Sequence, residues 1–171
     1  LEYLESVLEE IQHAEAEQDF IEIRNELRDA GFLRKQGKSK KEPKRTARPW
    51  EFHTTSGIRV LVGRNNRQND QLTCKEADHR DIWLHTQKIH GAHVILCTGG
   101  QAVDDDTIVE AAKLAAWYSQ ARESGNVPVD YTQVKNVKKP AGARPGMVIY
   151  NTCRTVNVTP DEELVKALRV K

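Results

Sequence analysis

The chain has 171 residues, with 26 Lys or Arg against 25 Asp or Glu and 38% hydrophobic residues, a size and composition suited to one hydrophobic core with or without an appendage. No run of about 18 apolar residues occurs, so no membrane-spanning helix and no membrane partner is expected. Three scattered cysteines, Cys74, Cys97 and Cys153, argue for a reducing, cytoplasmic setting over a disulfide framework.

The net charge of +1 hides a strong segregation. Residues 1–30 carry ten acidic and two Arg side chains, net −8, whereas residues 31–59 carry nine basic and two acidic ones, net +7. Exposed charges are screened beyond about 8–10 Å, so the local field and not the total decides what a polyanion meets. LEYLESVLEEIQ has neither a basic leader nor an apolar core, and reads as the middle of a helix and not as a signal peptide.

Leu1, Leu4, Leu8 and Ile11 recur at coiled-coil spacing, and Phe20, Ile23, Leu27 and Ala30 repeat it in a second helix closed by Gly31. Neither helix can bury such a stripe alone. The expectation over residues 1–32 is the end of a coiled coil lacking its other strand, open to dimerisation, or a helical hairpin that packs on itself. Residues 33–48 hold eight basic side chains and no apolar period, which reads as a basic linker.

From Pro49 to the end the spacing predicts a separate globular domain. Residues 50–54 and 58–62 form a hairpin around Thr55-Ser56-Gly57. Residues 63–70 make a polar turn and residues 71–77 a short helix. Strands follow at 81–86 and 92–97. A long helix begins at Thr107 and Glu110, a capping-box pair, presents Ile108, Ala111, Ala112, Ala115, Ala116 and Tyr118 to a sheet, and stops at Gly125. Strands at 127–137, 147–151 and 154–159 flank a Gly- and Pro-broken loop at 138–146, and a terminal helix covers 160–168. Helices do not alternate with strands, which favours an α+β fold: a mixed, mainly antiparallel sheet packed by the central helix.

Arg64, Asn65, Asn66, Arg67, Gln68, Asn69 and Asp70 place many hydrogen-bond donors between segments that must be buried. Such a turn suits phosphates, sugars or base edges. It equally suits a solvated loop whose Asn and Asp residues cap a helix. Lys135, Lys138, Lys139 and Arg144 form a second cationic stretch with no acidic residue among them, while Trp83, Trp50, Tyr131 and Tyr150 offer either stacking faces or core. His85, His90, His93 and Cys97 have the wrong spacing for one metal ion, since His93 and Cys97 lie about 13 Å apart on a strand. No nucleophile has a recognisable base and orienter, so neither metal, cofactor nor catalysis of its own is expected.

VGRNNRQNDQLT, DIWLHTQKIHGAHVIL, AAKLAAWYSQAR, VPVDYTQVKNVKKPAGARPGMVIY and TVNVTPD together resemble the carboxy-terminal RNA-binding domain of the NFACT family over residues 49–161. The helical start resembles the end of the coiled coil that precedes that domain. The resemblance implies a piece of a cytoplasmic, ribosome-associated quality-control factor that binds large subunits obstructed by peptidyl-tRNA and supports alanine tailing of the stalled chain. Its implied partners are the rRNA of the large subunit, tRNA and the rest of its own chain. Carried onto this sequence, Arg64, Asn65, Arg67, Gln68 and Asn69 become an RNA-facing turn, with Asp81, Trp83 and His85 building or lining it. Lys135, Lys138, Lys139 and Arg144 become phosphate contacts. Two alternatives stand beside this reading: a fibronectin-binding adhesin, and a protein scaffold whose RNA affinity is incidental.

Overall fold

A computed structural model describes residues 1–34 and 47–170. The expected basic linker at 33–48 lies almost wholly outside the described residues. Among the described residues the chain is an α+β structure: five α-helices and a six-stranded antiparallel sheet in the order β1-β2-β4-β3-β5-β8, with β6 and β7 paired separately. The strands are β1 (Trp50–His53), β2 (Arg59–Val62), β3 (Ile82–Thr86), β4 (Val94–Leu96), β5 (Val127–Gln133), β6 (Val137–Lys138), β7 (Ile149–Tyr150) and β8 (Arg154–Val158).

Strand alternation divides the core in two. Val60 and Val62, Leu84, and Val94 and Leu96 face the central helix α4 (Asp105–Trp117), whose Ala111, Ala112, Ala115 and Ala116 are fully buried and let it lie close. Each fully buried aliphatic side chain here contributes about 1.5–3 kcal/mol. Trp83 and Ile95 face the other way, against Leu72 and Val134. This second layer comprises α3 (Asn66–Asp70), the π-helical turn that prolongs it (Gln71–Glu76), and the β6–β7 pair. The terminal helix α5 (Glu162–Leu168) packs on α4, capped by Asp161.

Two local expectations are corrected. Helix α4 is capped by Asp104, whose side chain accepts from the Thr107 N–H, and Glu110 instead accepts from Thr55 in the β1–β2 turn. It ends at Trp117, well before Gly125, because the chain turns at Tyr118 to pack that ring on Trp50 at 4.5 Å.

Helices α1 (Glu2–His13) and α2 (Glu17–Asp29) form a hairpin. Gly31 and Phe32 close α2 through bonds to the Arg28 and Leu27 carbonyls, a Schellman ending. The expected seam is reversed on α1. Tyr3, Val7, Glu10 and His13 are buried, while Leu1, Leu8 and Ile11 stand 93%, 59% and 39% exposed. Tyr3 and Val7 pack on Ile23 and Leu27 of α2, so the hairpin closes on itself through this face, while His13 and Glu10 on the same side meet the globular domain.

Candidate nucleic-acid interface

The polar turn after β2 folds into helix α3, with Asn65 as its cap accepting from the Gln68 N–H at 2.8 Å. Its side chains face the hairpin. Arg64 pairs with Asp19 at 3.0 Å and lies over the Trp50 ring at 4.9 Å. Asn65 donates to Glu22 at 2.9 Å, Asn66 to Ser6 at 3.1 Å, and Arg67 pairs with Asp29. Gln68 accepts from the Arg64 N–H and donates to the Ala47 carbonyl. Asn69 is buried and accepts from the His93 N–H at 3.1 Å. The expectation of an RNA-facing turn at Arg64, Asn65, Arg67, Gln68 and Asn69 is therefore revised. Acidic residues of α2 take the contacts that phosphates were expected to take, because the −8 segment lies against this turn.

Asp81 is revised as well. Its buried carboxylate accepts from the Gly99 and Asp78 N–H groups and pins the loops at the start of β3. Of the second cationic stretch, Lys139 is engaged internally with Asp70 at 3.1 Å and with the Arg144 carbonyl at 2.7 Å. Arg144 lies over the rings of Tyr3 and Phe32.

Lys135 and Lys138 remain exposed and make no ion pair among the described residues. Lys75 is exposed as well, on a neighbouring element. The π-turn that carries Lys75 packs against β6, which carries Lys138, and the Lys135 N–H donates to the His79 carbonyl. Lys138 sits opposite Ile149 in the β6–β7 register, and Ile149 and Met147 are 55% and 44% exposed. The result is a cationic surface with an apolar strip, the composition of a surface that holds phosphates and lets bases or sugars rest beside them. Lys75 was missed because a lone Lys in QLTCKE carries no signal before the fold puts it beside β6.

Trp83 and His85, two apart on β3, stack on the same sheet face with centroids 5.6 Å apart and planes 8° from parallel. Tyr150 packs on Trp83 at 4.9 Å and donates its hydroxyl to the buried Asp130 at 2.6 Å. His93 meets both rings edge-on. Its Nε2–H donates to the Gly146 carbonyl, so Nδ1 accepts from the Thr73 hydroxyl. That is a neutral imidazole, consistent with a pKa that burial pulls down to about 3. Burial lowers the pKa of His85 too.

Two glycines permit this convergence. A Cβ on Gly63 would stand 1.9 Å from the Asn69 Oδ1, and one on Gly146 would stand 2.5 Å from the Asn66 Oδ1. Gly146 also has φ +82° and donates to Asp70 at 2.9 Å, which ties the 139–148 loop to α3.

Beneath α1 a cavity of about 340 Å³ opens onto the Trp83–His85 stack. Glu10 lines it from above, with both carboxyl oxygens buried and without a hydrogen-bond partner among the described residues. Burial, reinforced by the neighbouring Glu26, pushes its pKa well above the usual carboxylate range. The Trp83 indole Nε1–H is likewise buried without a partner. Among the described residues no group of three or more His, Cys, Asp or Glu is placed to hold a metal.

Comparison with known proteins gives these features a family. The chain is 44% identical over 171 residues to the Rqc2 homolog RqcH of Bacillus subtilis (strain 168), covering 99% of this chain and 30% of that protein. It is 39% identical over 170 residues to the Rqc2 homolog RqcH of Streptococcus suis (strain 05ZYH33), again 30% of the relative. The chain thus spans about a third of the length of these relatives. Coiled-coil domain-containing protein 25 of Bos taurus is 28% identical over 119 residues, 67% of this chain and 57% of the relative. Among solved structures, the C-terminal part of the fibronectin/fibrinogen-binding protein of Streptococcus suis superposes with a TM-score of 0.91 at 36% identity, over 99% of this chain and 67% of that one. Residues 48–151 match the model of the NFACT protein RNA binding domain, and with that match over more than half of its length the chain belongs to this family.

Proposed function

We propose that this chain is the RNA-binding portion of a ribosome-associated quality-control factor, and that it grips RNA through the surface of Lys75, Lys135 and Lys138. The observation that carries the reading is the coincidence of an NFACT RNA-binding domain with exposed, unpaired lysines on neighbouring elements of the second layer. Each phosphate neutralised by such a lysine releases counterions, so binding weakens steeply with salt. Membership beside Rqc2 homologs supports the finer statement that the full-length protein engages large ribosomal subunits obstructed by peptidyl-tRNA and supports alanine tailing in the cytoplasm. In that setting the domain supplies affinity for rRNA or tRNA and no catalytic group. The exposed Leu1, Leu8 and Ile11 stripe is assigned to the remainder of the full-length chain, whose coiled coil would cover it; dimerisation of the isolated piece through that stripe is the alternative occupant.

Crosslinking the full-length protein to stalled large subunits and mapping the crosslinks by residue tests the proposal. Crosslinks from Lys75, Lys135 or Lys138 to RNA support it, and crosslinks confined to protein favour a scaffold. The name of the streptococcal structure favours a second reading, fibronectin binding; labelling of intact cells that marks the protein at the surface would favour it.

A further inference from the structure

We propose that the cavity beneath α1 is a site for one unstacked nucleobase, whose edge accepts from the Trp83 indole N–H and whose ring packs on His85. The inference rests on the RNA-binding reading but concerns a different surface from the lysine face.

The rings supply the first argument. Trp83 is fully buried and His85 half-buried, their rings run parallel, and both line the cavity, so a base there meets an aromatic wall. Every base has an aromatic face, and a base seated on a ring platform in a protein contributes stacking without demanding a particular sequence. Tyr150 and His93 buttress the platform from β7 and from the start of β4, and their hydrogen bonds to Asp130, Gly146 and Thr73 hold them in place.

The unpartnered polar atoms supply the second. A buried indole N–H or carboxyl group without a partner costs about 1–3 kcal/mol in the absence of a ligand or ordered water. Trp83 lines this cavity and its indole N–H lacks a partner among the described residues, while the Glu10 carboxyl on the same cavity wall has the Asn66 N–H nearby. A donor beside a group that accepts, and also donates when protonated, matches the mixed edge of a base.

Charge supplies the third. Burial disfavours the charged forms of His85, His93 and Glu10, and Arg64 on the cavity wall is already paired with Asp19. A neutral planar heterocycle enters without the cost of burying a charge. The volume, about 340 Å³, is within the range of small-molecule sites, roughly 300–1,000 Å³. Lys88, exposed at the mouth with φ +59°, stands where the sugar-phosphate attached to the base would emerge.

The test uses adenosine, cytidine, guanosine and uridine separately, by calorimetry and saturation-transfer NMR, together with a short oligoribonucleotide and its counterpart carrying one abasic position. At least one nucleoside is expected to bind at millimolar concentration or below. His85→Ala should weaken it at least fivefold, His85→Phe should restore the platform, and Trp83→Phe should weaken it by about tenfold, the loss of one well-made hydrogen bond. Thermal melting of each variant checks the fold. The abasic oligonucleotide should bind more weakly than its parent. Nucleoside binding with no abasic effect would assign the cavity to free nucleosides and overturn its link to an RNA chain. Absence of nucleoside binding, with RNA affinity unaltered in His85→Ala and Trp83→Phe, would overturn this inference and leave the lysine face untouched. Loss of RNA binding in Lys75→Ala/Lys135→Ala/Lys138→Ala with nucleoside binding intact is the expected separation of the two sites.

Discussion

The Arg64 guanidinium meets the Asp19 carboxylate at 3.0 Å with 17% and 2% of their side chains exposed, and so joins the turn after β2 to helix α2. Asp19 also accepts from the Glu15 and Ala16 N–H groups, which fixes the corner of the hairpin. Through this pair the donor-rich turn after β2 becomes the seat of the acidic helix α2.

Arg64→Ala should therefore destabilise the chain by about 3 kcal/mol, because it leaves a buried carboxylate uncompensated. Arg64→Ala combined with Asp19→Asn should recover part of the loss. Urea denaturation followed by circular dichroism checks both. RNA affinity of the folded fraction should change little in either variant.

Gly63→Ala should cost about 2–3 kcal/mol, since its Cβ would collide with the Asn69 side chain that holds the His93 N–H. Asn69 cannot retreat without giving up that bond. The shift in thermal midpoint, compared with Gly57→Ala in the exposed β1–β2 turn, separates collision from backbone strain: a Cβ at Gly57 has open space around it.

The pH dependence has two opposed parts. The folded pKa of Glu10 is raised, so its stabilising contribution is present below the unfolded carboxylate value of about 4.3 and is lost as pH rises through the folded value. Glu10→Gln should remove that loss and make the chain more stable at neutral pH. His93 is depressed to about 3; its contribution is present above about pH 6.5 and is lost as pH falls toward 3, by up to about 1.4 kcal/mol per pH unit. His93→Gln should flatten that acid limb. Melting temperatures from about pH 4.3 to about pH 6.5, the two reference values, and on to neutral pH distinguish the variants.

Strand positions were readable from short apolar runs, as in DIWLHT and AHVILC, because these central strands are covered on both faces. The face of α1 was not. Leu1, Leu4, Leu8 and Ile11 make the better apolar stripe, yet Tyr3, Val7, Glu10 and His13 are buried, since Tyr3 and Val7 pack with Ile23 of α2 and His13 meets the Tyr118 ring. The chemistry of Arg64 to Asn69 was legible as donor-rich, and it is; which anion it meets depended on a helix 45 residues away. Lys138 and Lys139 are adjacent and alike in sequence, and only the fold turns one outward and the other onto Asp70. Trp83 and His85 were legible as a pair on one strand face, but the cavity above them is built by α1 and could not be seen from β3 alone.

The most direct measurement of the central claim is the salt dependence of RNA binding, titrated at several ionic strengths for the native chain and for Lys75→Ala/Lys135→Ala/Lys138→Ala. With a slope of about 0.7 per phosphate contact on a single strand, the triple variant should bind more weakly and lose about two from the magnitude of the log-log slope, while its melting temperature stays unchanged. An unchanged affinity and slope in that folded variant would contradict the account and move the RNA-binding surface away from the second layer.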